Sequence, residues 1–412
     1  NKKIINKYIK RKKIMELSFR WYGPKDPVKL TDIRQSNADF IVTSLHQIPA
    51  GTKWSEKNIQ DRIQFINSEN KNGKKKLTWN VVESIPVHND IKLRTGNFKK
   101  LIENYKDSIF NISKYNINTI CYNFMPIIDW TRTQLDFKMS TDGLALRFGF
   151  IQFIIFEKFI LKLKNLEKRY DDSLLAEATN QYNVMSNKDL ENLKFSVMGG
   201  LPAAETQYTI EEFRNMLAAY NDVDKEVLRS NFLEFLKEIM PIAEENKIKM
   251  ALHPDDPPIP LFGLPRIVSS KEDYQFVFEQ HESNTNGMTF CVGSLASNIK
   301  NDVYDIFKSF KDKINFIHLR NVSIEDDRIS FVESEHLEGD VDFVKIIKMI
   351  LLEEKRRSEI IKNFNIPMRP DHGHCLMDDQ HKKMNPGYSA IGRMKGLAEI
   401  RGIIKTLSKV IL

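Results

Sequence analysis

The 412-residue chain is 41% hydrophobic and 28% charged, the balance of an ordinary globular protein with ample core. Its net charge of +7 hints at a nucleic-acid partner only until it is located. Residues 1–14 carry seven basic side chains and no acidic one, which leaves 55 basic against 55 acidic residues in the rest and removes the basic character a phosphate binder needs.

The basic stretch 1–14 lacks an apolar run of signal-peptide length and is expected to be a disordered tail or a remnant foreign to the natural chain. The best membrane candidate, residues 148–163, is broken by Glu157, Lys158 and Lys162, so no membrane partner is expected. Cys121, Cys291 and Cys375 are too few and too scattered for a disulfide framework and suit a reducing, cytoplasmic setting.

From Met15 onward a rhythm sets in. Residues 17–22 alternate and stop at Gly23-Pro24, a strand signal. A short helical pattern covers 30–35, and a β-branched strand covers 40–45, ending at His46. Residues 54–67 are helical by period, with Ser55 placed to cap them. A third strand spans 77–83, with His88 beyond it; a helix spans 98–115; a fourth strand spans 119–124, followed by Asp129.

Residues 131–208 break the rhythm. They hold helical patterns at 148–166 and 173–183 and no convincing strand, which predicts a helical insertion with loops able to cover a site. Helices at 210–220 and 225–246 return the chain to its framework. Strands then follow at 249–253, 288–291, 314–319 and 366–369, with helices at 270–282, 303–310, 341–357 and 389–407 between and after them. Eight short strands alternating with helices predict an α/β fold, a (β/α)₈ TIM barrel forming one domain over residues 15–412. A doubly wound sheet would show a glycine-rich dinucleotide fingerprint after an early strand, and none is present.

In such a barrel the chemistry sits at the C-terminal ends of the strands. The last four strands end in His253, Cys291, His318 and the pair Asp371 and His372, spaced 38, 27 and 53 residues apart. Two imidazoles, a thiolate and a carboxylate make a metal site assembled by the fold and not by a local motif. Ligand softness alone favours zinc. Arg20 and Arg320 are placed to pair with an anionic substrate. Asp255 and Asp256 either orient His253 or cap their loop. His281, His336 and His381 lie away from strand ends and receive no role.

Several stretches carry a resemblance: RWYGPKDPV (20–28), CYNFMPIIDWTRT (121–133), LHPDDPPIPLFGLPRIVS (252–269), FIHLRN (316–321), LEGDVDF (337–343), and MRPDHGH (368–374) with NPGYSAIGRMKGLAEIRG (385–402). Together they resemble the mannonate dehydratase family, from about Phe19 to the C-terminus. The resemblance implies a barrel similar to the xylose isomerase-like proteins and dehydration of D-mannonate to 2-dehydro-3-deoxy-D-gluconate in hexuronate breakdown. It implies manganese or ferrous iron in place of zinc, held by His253, Cys291, His318 and Asp371. It implies proton transfer by Tyr388 and His372; the sequence does not settle which is acid and which is base, and chemistry favours Tyr388 as base, its phenol acidified near the metal, with His372 as acid. Arg20, His46, Arg320 and Arg369 form the expected substrate-binding set, and a homodimer the expected assembly. A metal-dependent sugar isomerase or epimerase on a related barrel is the competing enzyme reading.

Overall fold

The computed structural model describes residues 15–71, 73–199, 208–362 and 364–411. The tail expected at residues 1–14 lies outside the described residues.

Eight parallel strands close into a barrel: β1 (Glu16–Arg20), β2 (Phe40–Thr43), β3 (Thr78–Glu83), β4 (Thr119–Tyr122), β7 (Lys249–Leu252), β8 (Asn286–Cys291), β9 (Ile314–His318) and β12 (Pro367–Arg369). Their order around the ring is β1-β12-β9-β8-β7-β4-β3-β2. All eight are strands expected from the sequence, with ends shifted by a residue or two. Helices alternate with them because each has one apolar stripe to bury. In Val303–Phe310 the buried residues are Val303, Ile306, Phe307 and Phe310, and the Asp302 carboxylate accepts the Tyr304 and Asp305 N–H groups at its start. The Ser55 hydroxyl caps Glu56–Ser68 as expected, accepting from Asn58 N at 3.2 Å.

Alternate residues of a strand share a face, so each strand end inherits its inward direction from the residue two places earlier. Val81, Cys121, Ala251 and Phe316 pack with Val42 in a dry plug inside the barrel. Two residues on, the same strands present Glu83, Asn123, His253 and His318 to the open end. Phe316 meets His318 edge-on with ring centroids 4.6 Å apart.

The segment after β4 departs from expectation. It is helical over much of its described length, including Asp172–Val184 and Asn187–Met198. The long helix expected at 148–166 is only Phe150–Ile155, continued by a π-helical turn, Phe156–Ile160. Before it come two strands the sequence reading did not find, β5 (Gln134–Lys138) and β6 (Leu144–Phe148). With β10 (Asn321–Ile324) and β11 (Phe331–Ser334) they form a four-stranded antiparallel sheet in the order β10-β11-β6-β5. The Arg147 guanidinium donates to both oxygens of Glu325, at 2.5 and 2.7 Å, and ties the two halves together. The pairing of β6 with β11 spans about 180 residues of sequence, so no local pattern announces it.

Candidate active site

Arg20, Glu83, Cys291, His318 and Arg369 are each the last residue of a barrel strand, and His253 follows β7 directly. Pleating aims all six into the mouth of the barrel. Ligand atoms of His253, Cys291 and His318 lie within 4.8 Å of one another. His253 Nδ1 is 2.7 Å from the Pro254 carbonyl, which can only accept, so the proton sits on Nδ1 and Nε2 is bare. Burial pushes the His253 imidazole below its ordinary range, which keeps it neutral. On the other ring, His318 Nε2 stands 3.2 Å from Glu83 Oε1, and Nδ1 stands 3.4 Å from Arg369 Nη2. A guanidinium can only donate, so His318 Nδ1 accepts from Arg369 and is bare as well. Two imidazole nitrogens then face each other at 3.2 Å, with the Cys291 sulfur close by. Opposed lone pairs in a buried site are what a cation relieves, and two imidazoles with a thiol suit a divalent metal. Asp371 stands at the edge of this group: Oδ2 is 3.7 Å from Cys291 Sγ, while Oδ1 takes a 2.5 Å bond from Arg369.

A network of buried charge surrounds the three. Arg369 forks onto both oxygens of Glu83 at 2.7 and 2.6 Å, and Arg20 adds a third contact at 3.1 Å. Burial alone would raise the Glu83 carboxyl; Arg369, Arg20 and His318 outweigh it and hold it well below the usual range. Arg320 and Arg132 share Asp256, at 2.7 and 2.8 Å, and burial there is likewise outweighed, so Asp256 is held low. The arginines expected to bind substrate are therefore already paired with carboxylates. Asp255 caps its loop, accepting from Val268 N and Ser269 Oγ, both at 2.8 Å. Neither aspartate hydrogen-bonds to His253, whose ring nitrogens meet the Pro254 carbonyl and His318.

A second chain of contacts reaches the same cavity. Arg132 Nε and Nη2 donate to Glu333 Oε1 at 3.0 and 2.6 Å. Glu333 Oε2 is 2.6 Å from His372 Nδ1, and His372 Nε2 is 3.0 Å from the Tyr388 hydroxyl. Glu333 is buried; His372, Arg320 and Arg132 overcome that burial and bring its carboxyl down to about 2. An ionised Glu333 fixes the His372 proton on Nδ1 and leaves Nε2 to accept from Tyr388. Burial raises the Tyr388 phenol above its ordinary value, against the pull of Arg20 and Arg369.

His46 does not line the cavity. It leans on Tyr22, ring centroids 4.9 Å apart, and burial together with Arg20 and Arg62 holds its imidazole well below the ordinary range. His336, given no role, is buried with Nε2 3.3 Å from the Pro370 carbonyl, behind the turn that carries Asp371.

The family model of D-mannonate dehydratase matches residues 15–411. The chain belongs to the D-mannonate dehydratase family. It is 45% identical over 389 residues to mannonate dehydratase of Marinomonas sp. (strain MWYL1), covering 94% of this chain and 98% of that one. It is 43% identical over 395 residues to the enzyme of Saccharophagus degradans, covering 95% and 98%. Its fold is similar to the crystal structure of mannonate dehydratase from Streptococcus suis serotype 2, with a TM-score of 0.74 and 32% identity over 96% of this chain and 94% of that chain.

Within this family member the structure adds three groups that sequence reasoning passed over: Glu333, Arg132 and Trp130. Arg132 fell inside the segment read as helical cover, Trp130 just before it, and Glu333 in an unassigned stretch after β9. One signal was available: residues 329–332 hold three strand-favouring side chains, Ile329, Phe331 and Val332, in four positions.

Proposed function

We propose that this hydro-lyase converts D-mannonate to 2-dehydro-3-deoxy-D-gluconate with Tyr388 and His372 as its proton-transfer pair. The observation that carries the assignment is the unbroken Glu333–His372–Tyr388 chain ending beside the His253, Cys291 and His318 cluster.

The substrate's C2 proton is weakly acidic and its 3-hydroxyl is a poor leaving group. Hydroxyl loss needs a proton delivered, and C2 needs a base. Tyr388 passes its hydroxyl proton to His372 Nε2, and the Glu333 carboxylate offsets the positive charge the ring acquires. The phenolate removes the C2 proton, and His372 returns its own proton to the departing hydroxyl as water. Both side chains end as they began, and the enol product tautomerises to the 2-keto-3-deoxy acid. Arg20 Nη1, 3.4 Å from the Tyr388 oxygen, stabilises the phenolate.

His253, Cys291, His318 and Asp371 would hold the metal, manganese or ferrous iron. Bound there, a divalent cation would chelate the substrate carboxylate and a neighbouring hydroxyl and stabilise the charge left on loss of the C2 proton. Charge balance supports this. Arg20, Arg132, Arg320 and Arg369 face Glu83, Asp256, Glu333 and Asp371, and Lys92 faces Asp129, so the cluster is close to neutral. A divalent cation against the Cys291 thiolate then leaves one positive charge, the complement of a monoanionic aldonate. The same reading carries with it a cytoplasmic setting and a homodimer; the latter is tested by sedimentation. No described helix is long and apolar enough to cross a membrane.

The test is a paired assay on metal-stripped protein: D-mannonate with and without manganese or ferrous iron, following the 2-keto-3-deoxy acid. Metal-dependent product is expected. Tyr388→Phe should lower kcat by about 10²- to 10⁴-fold while metal still binds; near-normal turnover would remove Tyr388 from its role.

A further inference from the structure

The loop after β4 carries polar groups that the dehydration chemistry does not use. Asn123, Asp129 and Trp130 line the cavity that holds Tyr388 and His372. Trp130 is 4% exposed, and its indole Nε1–H has no hydrogen-bond partner among the described residues. Asn123 Oδ1 is likewise a buried atom without one, and Asp129 Oδ1 lacks a hydrogen bond although the Lys92 ammonium pairs with it at 3.6 Å. Leaving such groups unpaired is costly, which points to a ligand as their partner. The Trp130 ring stands edge-on to His372, centroids 5.9 Å apart, so the loop adjoins the catalytic pair.

The side of the barrel matters. In the eight-membered ring β4 lies four places from β12, directly across the mouth from Arg369 and Asp371. The Arg20 and Arg369 guanidiniums and Asp371 therefore belong to one side and Asn123 to the other, while Arg132 stacks over Trp130 at 4.9 Å and His253, after the neighbouring strand β7, borders the β4 loop. Two carboxylate or amide oxygens that accept and one indole N–H that donates are complementary to sugar hydroxyls, which do both. Asp129 is held in place from behind: Asn123 Nδ2 donates to Oδ2 at 3.5 Å, and the buried Lys92 ammonium lies 3.6 Å from Oδ1.

We propose that Asn123, Asp129 and Trp130 form the subsite for the hydroxylated tail of the substrate, and that Asp129 restricts the enzyme to sugar acids with a single carboxylate. The inference rests on the dehydratase reading and adds a selectivity to it. A substrate with its carboxylate at the guanidinium side places its far carbons against Asp129. A hydroxymethyl terminus donates to that carboxylate, whereas a second carboxylate meets like charge. D-mannarate, the diacid with the same stereochemistry, has a carboxylate at both ends and meets Asp129 whichever way it enters. Replacing Asp129 by asparagine removes the repelling charge and leaves the buried Lys92 ammonium, which donates to the Met125 carbonyl at 2.6 Å, without its carboxylate partner.

The experiment compares kcat/KM of the manganese-loaded enzyme for D-mannonate and D-mannarate. Wild type is expected to favour D-mannonate by about a hundredfold or more. Asp129→Asn should raise KM for D-mannonate about tenfold and shrink that preference at least about tenfold. Trp130→Phe keeps every charge and removes one donor. It should raise KM for D-mannonate about three- to tenfold and leave the preference unchanged. Comparable wild-type turnover of the two acids overturns the proposal, whether or not Asp129→Asn folds. So does a folded Asp129→Asn with the wild-type preference, or an unchanged KM in Trp130→Phe. Failure of wild type on D-mannonate itself overturns the dehydratase reading instead, and is read separately in the same assay.

Discussion

Glu333→Gln is the most informative single change, because the geometry dictates which way the new amide must point. Two Arg132 nitrogens donate to Glu333 Oε1 at 3.0 and 2.6 Å. An amide NH₂ there would face two donors, so the carbonyl oxygen takes that place and the NH₂ turns to His372 Nδ1. A donor at Nδ1 makes that nitrogen the acceptor and moves the ring proton to Nε2, which now faces the Tyr388 hydroxyl with nothing to accept its proton. Steric fit is retained while the relay runs the wrong way. The equivalent carboxylate-to-amide change in a serine protease triad costs about 10⁴ in kcat, roughly 5 kcal/mol of barrier. We expect a loss of about 10³- to 10⁴-fold here. The fold should survive, since Arg132 and Arg320 keep Asp256 at 2.8 and 2.7 Å, and a cost of about 1–3 kcal/mol is the scale for one lost charged contact. The assay is steady-state turnover of D-mannonate at saturating manganese, with thermal unfolding and manganese affinity measured on the same preparation. A folded, metal-binding Glu333→Gln within tenfold of wild-type kcat would refute the tautomer argument.

Other outcomes follow from the same structure. Cys291→Ala should weaken manganese binding by at least about a hundredfold in an EPR titration without unfolding the barrel; unchanged affinity would remove Cys291 from the ligand set. Glu354 accepts the Met15 and Ile366 N–H groups at 3.0 and 2.7 Å at the entrances of β1 and β12, and burial raises its carboxyl from 4.5 to about 7. A raised folded value means that stability present below about pH 4.5 is lost as pH climbs through about 7, on the order of 3 kcal/mol. Between pH 5 and pH 8, Glu354→Gln should therefore gain stability relative to wild type in denaturant titrations, and parallel wild-type and variant curves would count against it. Phe316 is fully buried under His318, and Phe316→Ala should cost about 3–5 kcal/mol of unfolding free energy in the same titrations. A cost below about 1 kcal/mol would mean that the barrel plug is not packed as described.

The sequence by itself determined the framework. Alternating apolar strands and stripe-bearing helices leave little but a closed barrel, and strand periodicity of two sends His253, Cys291 and His318 inward once the strands are placed. These are local rules acting over a few residues, which is why eight strands and a cluster of three candidate ligands were legible. The antiparallel sheet was not, because β6 gains its partner only from β11, far away in sequence, and β5 and β6 read alone are too short and mixed to declare themselves. Glu333 went unseen with it. Arg20, Arg320 and Arg369 could be named from sequence, but their pairing with Glu83 and Asp256 depends on which strand ends meet across the barrel mouth. Residue types and spacing thus identify which groups can bind a metal or move a proton. Tertiary structure decides which nitrogen of His372 carries the proton, because that is set by a carboxylate 39 residues away that only the folded chain brings within 2.6 Å.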